Sequence, residues 1–297
     1  MKKYCFGIDV GGTTVKCGLF QVDGVLMDKW EIPTRTENQG EEILPDIAKA
    51  ILEKLQEKGI QKEEVAGIGV GVPGPVNSEG DVLCAVNLFW GYKKVSKELG
   101  EMTGIPVKAE NDANVAALGE AWRGAAAGAQ NVVMVTLGTG VGGGIIVNEQ
   151  ILSGAHGASG EIGHINVDHE ETESCNCGNQ GCLEQMASAT GVVRLAKKAL
   201  DCSDAPSVLR EGELTAKAVF DAYKAGDKLA EEVVEKFGDY LGGALASVTC
   251  VTDPSVIVVG GGVSKAGQPL IDCVTKYYKK LSEMMQGSMG QLRWSFR

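Results

Sequence analysis

One pattern occurs twice in this chain and limits its fold more than any other feature: an apolar strand, a glycine-rich turn and a second apolar strand. The first copy is F-G-I-D-V-G-G-T-T-V-K-C-G-L-F at residues 6–20, and the second is N-V-V-M-V-T-L-G-T-G-V-G-G-G-I-I-V-N at residues 131–148. Because a strand pattern resumes directly after the glycines, each copy predicts a β-hairpin. The repetition indicates an internal duplication. We therefore expect two similar α/β domains, residues 1–115 and 116–297, which face each other.

Further strands and helices are expected after each hairpin. Apolar runs between turn residues predict strands near Val25–Ile32, within A-G-I-G-V-G-V at residues 66–72, at Val107–Glu110 and at Ser255–Val259. Apolar residues at helical spacing predict helices over residues 41–58, 93–103, about 186–200, 213–224 and 227–250, and others that begin at Asp112 and near Pro269.

The chain length, the net charge and the N-terminal residues limit the classes of protein to which this chain can belong. The 297 residues are enough for one large domain or two ordinary ones, and no apolar run approaches the roughly 20 residues of a membrane span. The chain enters a strand pattern at Tyr4 without a signal peptide, so we expect a cytoplasmic protein that does not bind membranes. A net charge of −11 argues against sequence-independent nucleic-acid binding. The negative charge does not exclude phosphate ligands, since backbone amides can hold them.

Three glycine-rich turns are candidate phosphate sites: Asp9–Thr13, Gly138–Gly143 and Gly260–Gly262. In the first turn Asp9 is available to a hydrated Mg²⁺ and Lys16 to a phosphate. The alternative is an ordinary tight hairpin that needs glycine for a positive φ. The second turn matches G-x-G-x-x-G, but a strand follows it where the dinucleotide-binding motif requires a helix. Together the three turns fit a cleft that holds a nucleoside triphosphate.

A cluster of one histidine and three cysteines predicts a metal site. Cys175, Cys177 and Cys182 have C-x-C-x4-C spacing, and His164 lies eleven residues before the first of them. Three thiolates and one imidazole complete a tetrahedral set for Zn²⁺, which leaves no open position and makes the metal structural. The alternatives are a disulfide with a spare cysteine, and His169 in place of His164 as the ligand. Nine cysteines and no signal peptide favour the metal.

Asn111 and Asp112 stand between a predicted strand and a predicted helix. Asp112 can simply be the N-cap of that helix, a common role for aspartate. The functional interpretation is a carboxylate at the carboxyl end of a strand, where α/β folds place their ligands. Such a carboxylate can accept the proton of an attacking hydroxyl in phosphoryl transfer.

Six motifs occur in one order along the chain: D-V-G-G-T, E-N-D-A-N, L-G-T-G-V-G-G-G, G-E-I-G-H, C-x-C-G-x-x-G-C-x-E and V-V-G-G-G-V-S. In this order they resemble the ROK family of sugar kinases and related repressors, which belongs to the actin/hexokinase superfamily with a duplicated ribonuclease-H-like fold. The segments K-W-E-I-P-T-R-T and N-L-F-W-G are similar to its bacterial glucokinase branch. The resemblance implies ATP-dependent phosphorylation of a hexose 6-hydroxyl, with glucose expected first.

The resemblance also assigns roles to individual residues. Asp112 is implied to be the catalytic base, and His164 to use one ring nitrogen for zinc and the other for the sugar. The implied ligands of the other sugar hydroxyls are Asn111, Glu161, His164 and Glu184. The implied MgATP-binding residues are Asp9, Gly11, Gly12, Thr13, Lys16, Thr139, Gly140, Gly260, Gly261 and Gly262.

The resemblance leaves alternatives and one departure. A ROK kinase for fructose, N-acetylmannosamine, N-acetylglucosamine or allose is the nearest alternative, and a sugar-binding non-enzyme or a repressor is a more distant one. A homodimer or homotetramer is implied. Family members continue with a strand and a helix that return to the first domain, whereas this sequence ends in Q-L-R-W-S-F-R. We therefore expect an altered C-terminal return that exposes apolar surface on the first domain.

Overall fold

The structure, a computed structural model, describes residues 2–282 and 291–292. The expectation of an altered C-terminal return falls on residues 283–290 and 293–297, outside the described residues. Contacts within the chain define two compact units, Met1–Val115 with Ser153–Ser159, and Ala116–Leu152 with Gly160–Arg297. Residues 153–159, which the predicted boundary assigned to the second domain, therefore belong with the first unit. Among the described residues, no helix is both long and apolar enough to cross a membrane.

The first unit is built around a five-stranded mixed sheet. Its strands are β1 Tyr4–Val10, β2 Thr14–Gln21, β3 Leu26–Pro33, β4 Val65–Val72 and β5 Val107–Asn111. They lie in the order β3-β2-β1-β4-β5, with β1, β2 and β3 antiparallel and β1, β4 and β5 parallel. Its helices are the single turn α1 Glu37–Gly40, α2 Ile43–Lys58 and α3 Val95–Thr103. The apolar face of α2, with Ile47 and Ile51 fully buried, belongs to one core with β1.

The second unit contains the second sheet. Its strands are β6 Val132–Leu137, β7 Val141–Val147, β8 Gln150–Ile151, β9 Val256–Gly260 and β10 Gln291–Leu292, in the order β10-β9-β6-β7-β8. Helix α4 Asp112–Arg123 begins in the first unit and ends in the second. The other helices are α5 Leu183–Ala187, α6 Ala189–Cys202, α7 Ala216–Lys224, α8 Lys228–Thr252 and α9 Gln268–Ser282.

The two sheets repeat one topology. Read from its other edge, the second sheet has the order 8-7-6-9-10. This is the first order, 3-2-1-4-5, with five added to each strand number. In both sheets the first two strands along the chain form an antiparallel hairpin. The first strand of the hairpin also pairs in parallel with the strand that follows a long crossover. The predicted fold class, an α/β fold of two actin/hexokinase-like halves, is therefore confirmed.

Helix starts in the second unit are determined by capping side chains. The predicted helix over about 186–200 is two helices, α5 and α6, because Ser188 adopts an extended backbone and its hydroxyl accepts a hydrogen bond from Gly191 N. Thr215 caps α7 in the same way, and Asp227 accepts from the first amides of α8. These caps define where α6, α7 and α8 begin.

Candidate functional site

The junction between β5 and α4 presents Asp112 at its surface. Asn111, the last residue of β5, is buried, and its side-chain oxygen accepts hydrogen bonds from Ala113 N at 2.9 Å and Asn114 N at 3.2 Å. Asn111 is therefore the N-cap of α4, and the alternative that Asp112 serves as the cap is wrong. Asp112 is exposed at the carboxyl end of the strand, the position that its predicted role as a base requires.

Glu110, the residue directly before Asn111, also supports this junction. One of its carboxylate oxygens accepts from Asn111 N at 2.9 Å and from the Asn114 side-chain amide at 3.1 Å. The other accepts from the Ser153 hydroxyl at 3.2 Å. The Glu110 side chain thus links the backbone of Asn111, next to Asp112, to Ser153. Ser153 begins the segment 153–159, which directly precedes the G-E-I-G-H motif. Sequence analysis assigned no role to Glu110 or Ser153.

The first glycine turn lies at the same sheet edge as Asp112. Asp9 of β1 is in register with Gly71 of β4, which is in register with Glu110 of β5, so the carboxyl ends of all three strands meet there. Asp9 and Lys16 form an exposed ion pair at 3.5 Å. Gly12 and Thr13 are exposed at the tip of the turn.

The glycines of this first turn are not explained by a left-handed backbone. Neither Gly11 nor Gly12 has a positive φ, so the alternative that the hairpin needs glycine for that reason is wrong. A side chain at Gly11 would meet the carbonyl oxygen of Thr14 at 2.9 Å. Small residues here leave the backbone of the turn accessible, as a phosphate ligand requires.

The second hairpin turn contacts a predicted sugar ligand. Glu184, in the first turn of α5, accepts a hydrogen bond from Val141 N at 3.0 Å through Oε2. Its other oxygen, Oε1, lies 3.9 Å from the Cys175 sulfur. Glu184 therefore joins the Thr139–Gly140 turn to the cysteine cluster. Nothing in the spacing of the motifs predicted this contact.

The third glycine turn lies beside the second. Thr136 of β6 is in register with Gly260 of β9, so both turns follow the carboxyl ends of adjacent parallel strands. Gly261 has a φ of +88°, and a Cβ there would lie 2.6 Å from the backbone nitrogen of Leu137. Glycine is therefore required at 261 both by the backbone conformation and by the close approach of β6.

A pocket of about 280 Å³ adjoins this third turn within the second unit. Gly262 lies at one side of it, and a Cβ there would meet nothing within 4 Å. The wall is mainly apolar and also includes Lys217, Lys224 and the Asp221 carboxylate that pairs with both. Its lining includes Ala189, Ala216, Phe220, Gly262, Val263 and Lys265.

The four predicted metal ligands come together in the second unit. The ligand atoms of His164, Cys175, Cys177 and Cys182 all lie within 4.8 Å of one another. The Cys177 and Cys182 sulfurs are 3.6 Å apart, and His164 Nδ1 is 3.8 Å from the Cys175 sulfur. Ligand atoms around a tetrahedral Zn²⁺ with bonds of about 2.3 Å are separated by roughly 3.8 Å. The residues therefore fit a zinc ion after small side-chain movements that shorten the longest separations.

The two alternatives for this cluster are wrong. All nine cysteines are free, and 3.6 Å between the Cys177 and Cys182 sulfurs is far longer than the roughly 2.05 Å of a disulfide. His169 is exposed and is not part of the cluster. Burial, followed by hydrogen bonds within the cluster, raises the pKa of the Cys182 thiol to about 12. A metal ion that binds here must therefore displace protons.

Backbone pairing places His164 against the cysteine loop. His164 ends a 3₁₀ helix, Ile162–His164, and the next residue, Ile165, accepts a hydrogen bond from Leu183 N at 2.9 Å. Gly181, with a φ of +70°, has no room for a side chain, since a Cβ would lie 1.9 Å from the Asp168 carbonyl oxygen. Glycine is therefore required at 181 both by the backbone conformation and by the close approach of Asp168.

A buried carboxylate anchors the cysteine loop to α6. Glu171 is 3% exposed at its side chain and pairs with Arg194 and, at 3.0 Å, with Lys198. Burial opposes its ionisation, but hydrogen bonds from Arg194, the Glu173 backbone and Lys198 outweigh burial and lower the pKa of Glu171 to about 2. The loop that carries the cysteines is therefore held by an ionised side chain at neutral pH.

We predict that Glu171→Gln destabilises the protein by roughly 3 kcal/mol at pH 7, because it removes the buried charge that pairs with Lys198 and leaves Arg194 with Glu173 alone. The pKa of Glu171 is lower in the folded chain than its usual 4.5, so its contribution is present above pH 4.5 and is lost as the pH falls towards 2. Urea midpoints between pH 7 and pH 3 measure this. The exposed neighbour variant Glu170→Gln is the control. An identical pH dependence in wild type and Glu171→Gln would contradict the prediction.

A family model covers all of these motifs. The model described as ROK family matches residues 5–289, nearly the whole chain. The chain belongs to the ROK family. Every predicted site residue, from Asp9 to Gly262, lies within the matched ROK span.

Three known proteins illustrate the similarity. A glucokinase of Halalkalibacterium halodurans is 44% identical over 282 residues, which are 93% of this chain and 86% of the relative. A ROK hexokinase from Thermus thermophilus is 31% identical with a TM-score of 0.82, and the match covers 98% of this chain and 92% of that chain. A ROK family glucokinase from Streptomyces griseus, solved with glucose and AMPPNP, is 31% identical with a TM-score of 0.75 over 98% of this chain and 94% of that chain.

The ROK motifs account for part of the site only. They identify Asp112, the turns and the metal ligands, which are contiguous or closely spaced in sequence. They include Glu110, the first residue of E-N-D-A-N, but do not identify its contact with Ser153 or most of the lining of the pocket beside Gly262. The one available signal for the pocket was its neighbour, the third glycine turn.

Proposed function

We propose that this ROK protein is a kinase that transfers the γ-phosphoryl group of ATP to the 6-hydroxyl of glucose, forming glucose 6-phosphate and ADP. The observation that carries the reaction type is the exposed Asp112 carboxylate at the end of β5, with Asn111 acting as the helix cap beside it. The choice of glucose is supported by the 44% identity to a glucokinase over 86% of its length.

Asp112 is the proposed general base. The sugar 6-oxygen attacks the γ-phosphorus, the bond to the β–γ bridging oxygen breaks, and the hydroxyl proton passes to Asp112. In the same unit, Asp9 is placed to orient water on Mg²⁺, and Lys16 to contact a phosphate oxygen. The shared sheet edge of β1, β4 and β5 supports this assignment.

The proposed ligands of the other sugar hydroxyls are side chains with spare donors or acceptors. Asn111 donates one of its two side-chain N–H groups to the Gly74 carbonyl at 3.0 Å, and the other is the proposed donor to the sugar. In the second unit, Glu161 is exposed, and His164 and Glu184 are partly buried. Carboxylates accept from sugar hydroxyls, and the imidazole N–H donates to one.

Zn²⁺ is the proposed occupant of the cysteine cluster, held by His164, Cys175, Cys177 and Cys182. With four protein ligands it leaves no open position, so it supplies rigidity and takes no part in the reaction. The nearness of His164 Nδ1 to the Cys175 sulfur supports ligation through Nδ1, which leaves Nε2 as the donor to the sugar. The contact between Glu184 and Cys175 supports a metal site that orients sugar ligands.

ATP is the proposed phosphoryl donor. The pocket beside Gly262 is the proposed adenosine site, and the Thr139–Gly140 and Gly260–Gly262 turns are proposed to hold phosphates through backbone N–H groups. Nine free cysteines support a reducing compartment such as the cytoplasm. The homodimer or homotetramer implied by the resemblance stays a prediction.

The proposed function is tested by ADP release from the wild-type protein over a panel of hexoses and amino sugars. We expect the highest kcat/KM with glucose, and no ADP release above background without sugar, since water should not compete as the nucleophile. A higher kcat/KM with N-acetylglucosamine, N-acetylmannosamine, fructose or allose would contradict the choice of glucose. ADP release that no sugar stimulates would contradict the kinase assignment.

A further inference from the structure

The second hairpin turn and the segment that carries Glu184 are bonded at several points. Val141 N donates to Glu184 Oε2 at 3.0 Å. Ala189 N donates to the Gly138 carbonyl at 2.8 Å, and the Thr190 hydroxyl donates to the Thr139 carbonyl at 2.8 Å. Residues 184–190 therefore hold the turn at three of its residues, 138, 139 and 141. A displacement of the turn must displace Glu184 with it.

Gly140 is the point of closest approach between the turn and the carboxylate. A Cβ at 140 would lie 2.2 Å from Glu184 Oε2 and 3.1 Å from its Cδ. Gly140 does not have a positive φ, so the backbone conformation does not require glycine there. The neighbouring Gly138 also lacks a positive φ, and a Cβ at 138 would meet nothing within 4 Å. Glycine at 140 is thus explained by the position of the Glu184 carboxylate.

We propose that Gly140 is a positioning residue for the sugar site, and that the Thr139–Gly140 turn couples nucleotide and sugar binding through Glu184. The inference rests on the proposed function, in which the turn holds phosphate and Glu184 holds a sugar hydroxyl. Each ligand orders the same bonded segment. The second ligand to bind therefore causes a smaller loss of conformational entropy than the first. By thermodynamic linkage the two effects are equal. Bound nucleotide lowers the Kd of the sugar by the same factor as bound sugar lowers the Kd of the nucleotide.

The test is calorimetric binding of glucose with and without a non-hydrolysable ATP analogue, for wild type, Gly140→Ala and the control Gly119→Ala. Gly119 is an exposed residue of α4 without a positive φ, and a Cβ there would meet nothing within 4 Å. In wild type we expect each ligand to lower the Kd of the other by the same factor, about 5–150-fold. Gly140→Ala should raise the Kd of glucose about tenfold and remove most of the coupling, because its methyl group displaces the carboxylate. Gly119→Ala should change the Kd of glucose less than about twofold, since surface substitutions in open space cost little.

A double-mutant cycle separates displacement of Glu184 from misfolding. Glu184→Asp withdraws the carboxylate from residue 140, so Gly140→Ala should weaken glucose binding less in that background than in wild type. Metal content and Tm report folding in every variant. An unchanged glucose Kd in Gly140→Ala, or strictly additive losses in the cycle, would overturn the positioning role. Absence of glucose binding by wild type would instead overturn the proposed function, and the inference with it.

Discussion

Asp112→Asn is expected to lower kcat for glucose phosphorylation by about 10²–10⁴-fold, the usual size of a general-base contribution. The asparagine amide cannot accept the hydroxyl proton. The fold should survive, because Asn111 caps α4 and an amide oxygen at 112 can still accept the hydrogen bond that Ala113 N makes to Asp112 Oδ1 at 2.8 Å. The KM for glucose should stay close to that of wild type, since the uncharged side chain keeps its size.

Steady-state kinetics with purified Asp112→Asn measure this effect. The matched control is Asp201→Asn, which removes an exposed carboxylate near the end of α6, far along the chain from the junction. That control should retain the kcat of wild type. A near-normal kcat in Asp112→Asn would show that another group accepts the proton.

Cys177→Ala is expected to abolish stoichiometric zinc binding and then to raise the KM for glucose roughly tenfold or more, as sugar ligands lose their fixed positions. Cys177 is the exposed member of the cluster, so its replacement leaves the smallest internal cavity of the three cysteines. The effect on the sugar follows from the contact between Cys175 and Glu184 and from the place of His164 in the cluster.

Metal analysis by mass spectrometry, together with the KM for glucose, checks this second prediction. Cys202→Ala is the control, because Cys202 is also exposed and lies outside the cluster. It should keep one zinc per chain and the wild-type KM. A Cys177→Ala protein that lacks zinc yet keeps the wild-type KM would show that the metal does not support the sugar site.

The fold was predictable because its signals are local. A strand, a glycine turn and a strand are read from about 15 consecutive residues, and two copies were enough to predict two similar α/β halves. The strand order that both sheets share was not predicted. The clustering of His164 with three cysteines was also predictable from a local signal, since three of the four residues lie within Cys175–Cys182. The break between α5 and α6 was missed, although Ser188 is a favourable cap, because apolar spacing continues across it.

The supporting contacts of the site were not predictable from one sequence. Glu110 and Ser153 are 43 residues apart, as are Val141 and Glu184, and no local pattern relates such positions. The glycines are a further case. For the first turn, the sequence left open an alternative in which glycine supplies a positive φ, but neither Gly11 nor Gly12 has one. In the second turn, Gly140 is explained by the close approach of Glu184, which no sequence pattern indicates.

The most direct measurement of the central claim is the identity of the product that wild-type protein forms from glucose and MgATP. Phosphorus and carbon NMR of the reaction mixture should show glucose 6-phosphate and ADP in equal amounts, with no phosphate released to water. The phosphorylated carbon should be C6, and the signal should be lost in Asp112→Asn over the same time. Phosphorylation at another carbon, or free phosphate in place of a sugar phosphate, would contradict the account.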